Sequence, residues 1–212
     1  MANASTILVD HYAPTADVNG LRSNLPPSEY GQQAADDFRL LKPSSLTSVA
    51  WTGFYWLGKT PSASVDFTIR IYLGNEIPTS VVSSQRVTAK TTHILNDDFF
   101  DWPLFDFSAE FSEPIVLAPF KTYWLSIMES DSATPEWDFC WMEVPTRYQY
   151  GLGAYRYWEG DYWDLTGFDA SFALSGVEVP ELAAAQLALA AILLLTRRLD
   201  RGRSRPLAAQ RS

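Results

Sequence analysis

Val65-Asp66-Phe67-Thr68-Ile69-Arg70-Ile71-Tyr72-Leu73 is the stretch that decides the fold class. Its odd positions are all apolar and its even ones mostly polar, which is the two-residue period of a strand with one face buried. The same alternation sets Phe105, Phe107, Ala109 and Phe111 against Asp106, Ser108 and Glu110. Residues 123–127 and 137–141 read as two more strands. Further strands are expected at 7–12, 35–41, 46–55, 81–89, 155–158 and 171–176.

Between these runs lie Pro26-Pro27, Gly58-Lys59-Thr60-Pro61, Gly74-Asn75, Glu113-Pro114, Ala118-Pro119 and Gly151-Leu152-Gly153. Proline fixes φ and glycine permits positive φ, so each is a turn signal with its own mechanism. About ten short strands punctuated this often predict an all-β, antiparallel β-sandwich of jelly-roll type. No helical pattern separates the strands, which removes architectures built on strand–helix–strand units. Composition agrees with a packed sheet. The chain has 8 Trp, 10 Tyr and 12 Phe, with 47% hydrophobic and 19% charged residues, far from a disordered tail.

Every aromatic residue lies at or before Phe172, and charge divides near the same place. Residues 1–196 hold 24 acidic side chains against 10 basic ones, whereas 197–212 hold six arginines against Asp200. An acidic body does not attract nucleic acid, whose phosphates need a basic face. Cys140 is the only cysteine, so an intramolecular disulfide is excluded, and its expected role is that of a small buried hydrophobe.

One helix is expected, over 182–196. Its run LAAAQLALAAILLL has Gln186 as the sole polar residue and follows Pro180-Glu181, which suit a helix start. Fourteen residues span roughly 21 Å as helix, short of a hydrocarbon core of roughly 30 Å. The run nonetheless lacks the polar face of a surface helix. Arg197, Arg198, Arg201 and Arg203 behind it form the basic flank of a membrane segment. A membrane tail is therefore the preferred reading.

A β-sandwich, then Val179-Pro180-Glu181, an apolar helix and terminal arginines resembles the PEP-CTERM proteins. Further marks of resemblance to ectodomains of that group are Gln33-Ala34-Ala35-Asp36-Asp37-Phe38, the Trp-bearing Val49-Ala50-Trp51-Thr52-Gly53-Phe54-Tyr55 and Asp169-Ala170-Ser171-Phe172-Ala173-Leu174-Ser175-Gly176. The chain departs from the family motif at Leu182, where the second proline is expected. The resemblance implies export by a Gram-negative bacterium that produces exopolysaccharide. It also implies recognition of the motif at 179–181 by an exosortase, a membrane processing enzyme. Three parts are expected: residues 1–4 as the remnant of a signal peptide, 5–177 as the ectodomain and 178–212 as the sorting tail. Ala2-Asn3-Ala4 ahead of Ser5 has the small-x-small form of a signal-peptidase site, which predicts an upstream extension with cleavage after Ala4.

No catalytic motif is found. His11 and His93 are far apart and lack metal-ligand spacing, and there is no nucleophile elbow, zinc-protease helix or phosphate loop. The protein is therefore expected not to be an enzyme and to carry no cofactor. A structural calcium is the one alternative, with Asp36, Asp37, Asn96-Asp97-Asp98 and Asp169 as oxygen donors. The simpler reading is that aspartates at strand ends cap turns. Tyr155, Trp158, Tyr162 and Trp163, in a Gly-rich hairpin region, could stack sugar rings; closing one end of the core is the preferred reading. The expected function is an exported structural protein of the bacterial envelope, anchored at the surface or released to the matrix. The alternative is a carbohydrate-binding module with the same address.

Overall fold

The structure is a computed structural model that describes residues 5–11, 20–23, 32–96, 102–130, 139–144, 152–157 and 161–180, with backbone alone at 95–96. It contains twelve strands: β1 (Thr6–Asp10), β2 (Gly20–Arg22), β3 (Gln33–Arg39), β4 (Ser44–Tyr55), β5 (Ser64–Leu73), β6 (Ser80–Asn96), β7 (Pro103–Leu117), β8 (Thr122–Glu129), β9 (Phe139–Met142), β10 (Gly153–Arg156), β11 (Asp164–Thr166) and β12 (Phe172–Glu178). All pair antiparallel, in the order β1-β12-β4-β7-β6-β5-β8-β3-β10-β11, with β9 pairing β4 and β2. The all-β, antiparallel expectation therefore holds. The apolar run at 182–196 and the basic tail at 197–212 lie outside the described residues.

Three pairings are nested. β3 pairs β8, β4 pairs β7 and β5 pairs β6, so three successive strands run back along the next three around the turn after Leu73. This long double ribbon then curls. β6 is shared, pairing β5 up to Lys90 and β7 from Lys90 onward. The curl brings strands that are not neighbours face to face. Trp51 of β4 meets Phe67 of β5 edge-on at 4.9 Å between ring centroids, and Phe38 of β3 meets Phe172 of β12 at 6.3 Å.

The alternation read in the sequence is the alternation of the core. Phe67, Ile69 and Ile71 of β5 point inward with Phe105, Phe107, Ala109 and Phe111 of β7 and Tyr123, Leu125 and Ile127 of β8. At roughly 1.5–3 kcal/mol for each buried large apolar side chain, this shared face is the main stabilising element. The opposite face is covered locally. Trp124, Tyr72, Ala35 and Ala154 form a second cluster against Trp163. Cys140 packs with Phe54, Leu104 and Met142, as expected of a small buried hydrophobe.

Two details differ from the sequence reading. Glu113-Pro114 does not separate strands: β7 continues through it, and the register jumps from Ser48↔Glu110 to Leu46↔Ile115. A bulge of this kind frees the proline from donating to the ladder, which is why the strand tolerates it. The three-residue strands β2 and β11 are also absent from the sequence reading, being too short to show a period.

Candidate functional site

The inward positions of β3 are Ala34, Asp36 and Phe38. Ala34 and Phe38 belong to the main core, and Asp36 between them is fully buried. A carboxyl group at a core position must be satisfied by the protein around it. Its Oδ1 accepts from the Asp37 N–H at 2.9 Å, and its Oδ2 from the Ala170 N–H at 2.9 Å.

The segment that supplies Ala170 also carries Asp169, again fully buried. It is pinned from the other side. Val144 N–H donates to the Asp169 carbonyl at 2.7 Å, Ser171 N–H donates to the Met142 carbonyl at 2.9 Å, and Glu143 bridges Ala170. Gly153, opposite Asp36 in the register, makes the crossing possible, because a Cβ there would lie 2.2 Å from the Phe168 carbonyl oxygen. His11 arrives from the end of β1. Its N–H donates to the Phe172 carbonyl at 2.8 Å, and its ring lies 4.6 Å from that of Phe172. The imidazole Nδ1 is then 3.6 Å from Asp36 Oδ2 and 3.8 Å from Asp169 Oδ1. Three residues 25 and 133 positions apart along the chain thus converge on one point, their ligand atoms all within 4.8 Å of one another.

Burial dominates the electrostatics of this point. Burial holds the Asp36 carboxyl well above the usual carboxylate range, and the neighbouring Asp169 adds to the effect. Burial also raises Asp37 and Glu143, with Asp169 contributing to both. At His11 burial lowers the imidazole, opposed by the carboxylates of Asp169, Asp37 and Asp10. A groove of 520 Å³ between β1 and residues 39–42 reaches His11 from solvent.

Of the five aspartates read as candidate oxygen donors, the structure brings Asp36 and Asp169 together. Asp37 points to the other face of β3, where its Oδ1 accepts the Leu152 N–H at 2.7 Å. This is a cross-sheet contact from inside a strand, not the turn cap expected of an aspartate at a strand end. Asp97 and Asp98 lie outside the described residues. His11, set aside for want of ligand spacing, stands at the centre of the cluster; sequence spacing had no bearing, because the sheet rather than a short motif assembles the site. The signal that could have pointed here is an acid at an inward position of β3.

The aromatic hairpin divides as well. Tyr155 of β10 stands edge-on to Tyr157 at 5.7 Å, and Tyr162 is 92% exposed. Trp163 is not a free platform. It is half-buried, edge-on to Tyr72 at 5.7 Å, with the Arg156 guanidinium 4.7 Å from its ring. That guanidinium donates to Gln33 Oε1 at 2.8 Å, and Gln33 Nε2 donates in turn to Tyr72 Oη and Ser126 Oγ. Trp163 thus packs against the second cluster, whereas Trp158 lies outside the described residues.

At the other end of β3 the chain leaves the sheet. Glu178 is paired with Ser44 and bridges to Lys42 at 2.8 Å, the Val179 N–H donates to the Pro43 carbonyl at 2.8 Å, and Pro180 is exposed. Glu181, Arg197, Arg198, Arg201 and Arg203 lie outside the described residues. Among the described residues no helix is long and apolar enough to cross a membrane. No protein-family model matches the chain, and no curated protein matches it.

Proposed function

We propose that this chain is a non-catalytic, exported structural protein of the bacterial envelope, held at a membrane by its C-terminal apolar segment. Its curled sheet is of jelly-roll type, a reading supported by the nested pairing of β3, β4 and β5 with β8, β7 and β6. Val179-Pro180-Glu181 is the sorting motif, recognised by an exosortase-type enzyme, and residues 178–212 form the tail.

One observation supports this reading: large apolar side chains stand exposed at the end of the sheet from which the tail departs. Leu41 and Phe120 are each 77% exposed there, and the Phe120 N–H is tied to the Leu40 carbonyl at 2.9 Å. Phe120 sits at φ 59°, left-handed backbone that costs a non-glycine residue roughly 1–2 kcal/mol. A strained, bulky ring presented to solvent is a fit for lipid at the headgroup level, where aromatic side chains collect. Lys42 and Lys121 flank the two apolar tips in sequence and suit an anionic surface.

Fractionation of native cells followed by mass spectrometry of the intact protein tests the proposal. A chain ending near Glu181, or an intact Ser212 in the membrane fraction, supports it. An intact chain confined to the cytoplasm refutes it.

A second reading, a module for exopolysaccharide, is favoured by the exposed Tyr157 and Tyr162. They lie at the end of β3 away from the tail, roughly 20 Å along the strand. Tyr162→Ala should leave the melting temperature unchanged and weaken polysaccharide binding at least tenfold. Unchanged binding would leave the structural reading alone.

A further inference from the structure

We propose that His11, Asp36 and Asp169 bind one divalent cation of the zinc and manganese class, which ties β1 to β3 and to the segment entering β12. The donor set decides the class. Calcium takes six to eight oxygens, whereas one imidazole nitrogen with two carboxylate oxygens suits a smaller ion that accepts mixed ligands. The separations agree. Bonds of 2.0–2.2 Å in a tetrahedral site put ligand atoms roughly 3.3–3.6 Å apart, and Nδ1 lies 3.6 Å from Asp36 Oδ2 and 3.8 Å from Asp169 Oδ1.

Charge gives an independent reason. Asp36 and Asp169 are both fully buried and hydrogen-bonded side chain to side chain, so without a cation they share a proton, and a divalent ion would take that proton's place between the two carboxyl groups. The carboxylates of Asp10 and Asp37 also act on His11 through space, which adds to the attraction for a positive ion. The ligands are also oriented in advance. The Asp36 carboxylate is fixed by two backbone N–H groups, Asp169 by a backbone pinned to Val144, and the His11 ring by Phe172. Backbone donors of this kind hold first ligands in place around metals. A groove lined in part by His11 opens to solvent beside the cluster.

The cation would be structural in effect. Among the described residues β1 is the terminal strand of the sheet, paired on one side, to β12. A bond from His11 to Asp36 would fasten the edge of one half of the curl to the middle of the other.

The test uses the full chain in detergent, stripped with a chelator and dialysed against zinc, manganese or calcium separately. Elemental analysis should find about one zinc or manganese per chain. At a hundredfold excess over Kd the melting temperature should rise by roughly 5–10 °C. His11→Gln, at the groove, should keep the β-sheet circular dichroism spectrum and lose both the metal and the rise. Asp169→Asn should behave likewise; if it fails to fold, His11→Gln alone decides. The proposal is overturned if the wild-type chain retains neither ion, if folded His11→Gln retains it equally, or if calcium alone gives the rise.

Discussion

Trp51 and Asp36 are buried to the same extent, each with 0% of its surface exposed, and each faces inward from its strand. They are held by opposite physics. Trp51 stacks on Phe107 at 5.5 Å and meets Phe67 edge-on, while its indole Nε1 finds no acceptor among the described residues. Among the described residues it is held by packing. Asp36 touches the same core through Ala34 and Phe38 but is held by two backbone donors and two titratable neighbours. The difference teaches that depth does not tell what a residue does. In the Trp51 region any shape-conserving apolar group would serve, whereas the Asp36 region depends on named atoms.

The widest gap between the two regions should appear on truncation. Trp51→Ala removes the ring on which Phe67 and Phe107 pack and should cost roughly 3–5 kcal/mol in chemical denaturation. A loss below about 1 kcal/mol would move the centre of stability away from this cluster. Asp36→Ala should cost less, roughly 1–3 kcal/mol in chelator, because it leaves the Ala170 and Asp37 N–H groups without their acceptor. A cost exceeding that of Trp51→Ala would reverse the order and make the polar centre the keystone.

The smallest effect belongs to a carboxylate of the opposite kind. Asp66, near the surface, accepts from Thr88 Oγ1 at 2.6 Å and from Arg86 at 3.1 Å, and these hold it below the usual aspartate range. A depressed folded pKa stabilises the fold above the unfolded value and loses that contribution as pH falls through the folded one. Asp66→Asn should therefore destabilise by under about 1 kcal/mol at neutral pH, and by nothing measurable in acid below that range. A penalty that persists in acid would show that shape, not charge, is what Asp66 supplies.

Much of this fold is legible in the chain because a strand repeats every two residues and a sheet has two faces. The runs containing Phe67, Phe107, Leu125 and Leu174 announce their burial without reference to anything distant. Turn chemistry is equally local: Gly74-Asn75 and Ala118-Pro119 fall where β5 gives way to β6 and β7 to β8. Strands too short for a period are not legible, as in β2 and β11, nor is a proline absorbed by a bulge.

The sequence by itself determined the all-β class and the inward set of most strands, and placed Asp36 and Asp169 among the candidate oxygen donors. Only the tertiary structure decided that these two meet, that His11 joins them, that Asp37 turns away and that Trp163 packs under Arg156. The physical reason is that alternation is a property of one strand, whereas the site is a property of the curl. Asp36 and Asp169 are 133 residues apart, and no local pattern encodes which strand will lie across the core from which. That is fixed by the nested pairing of β3, β4 and β5 with β8, β7 and β6, which exists only once the ribbon has closed.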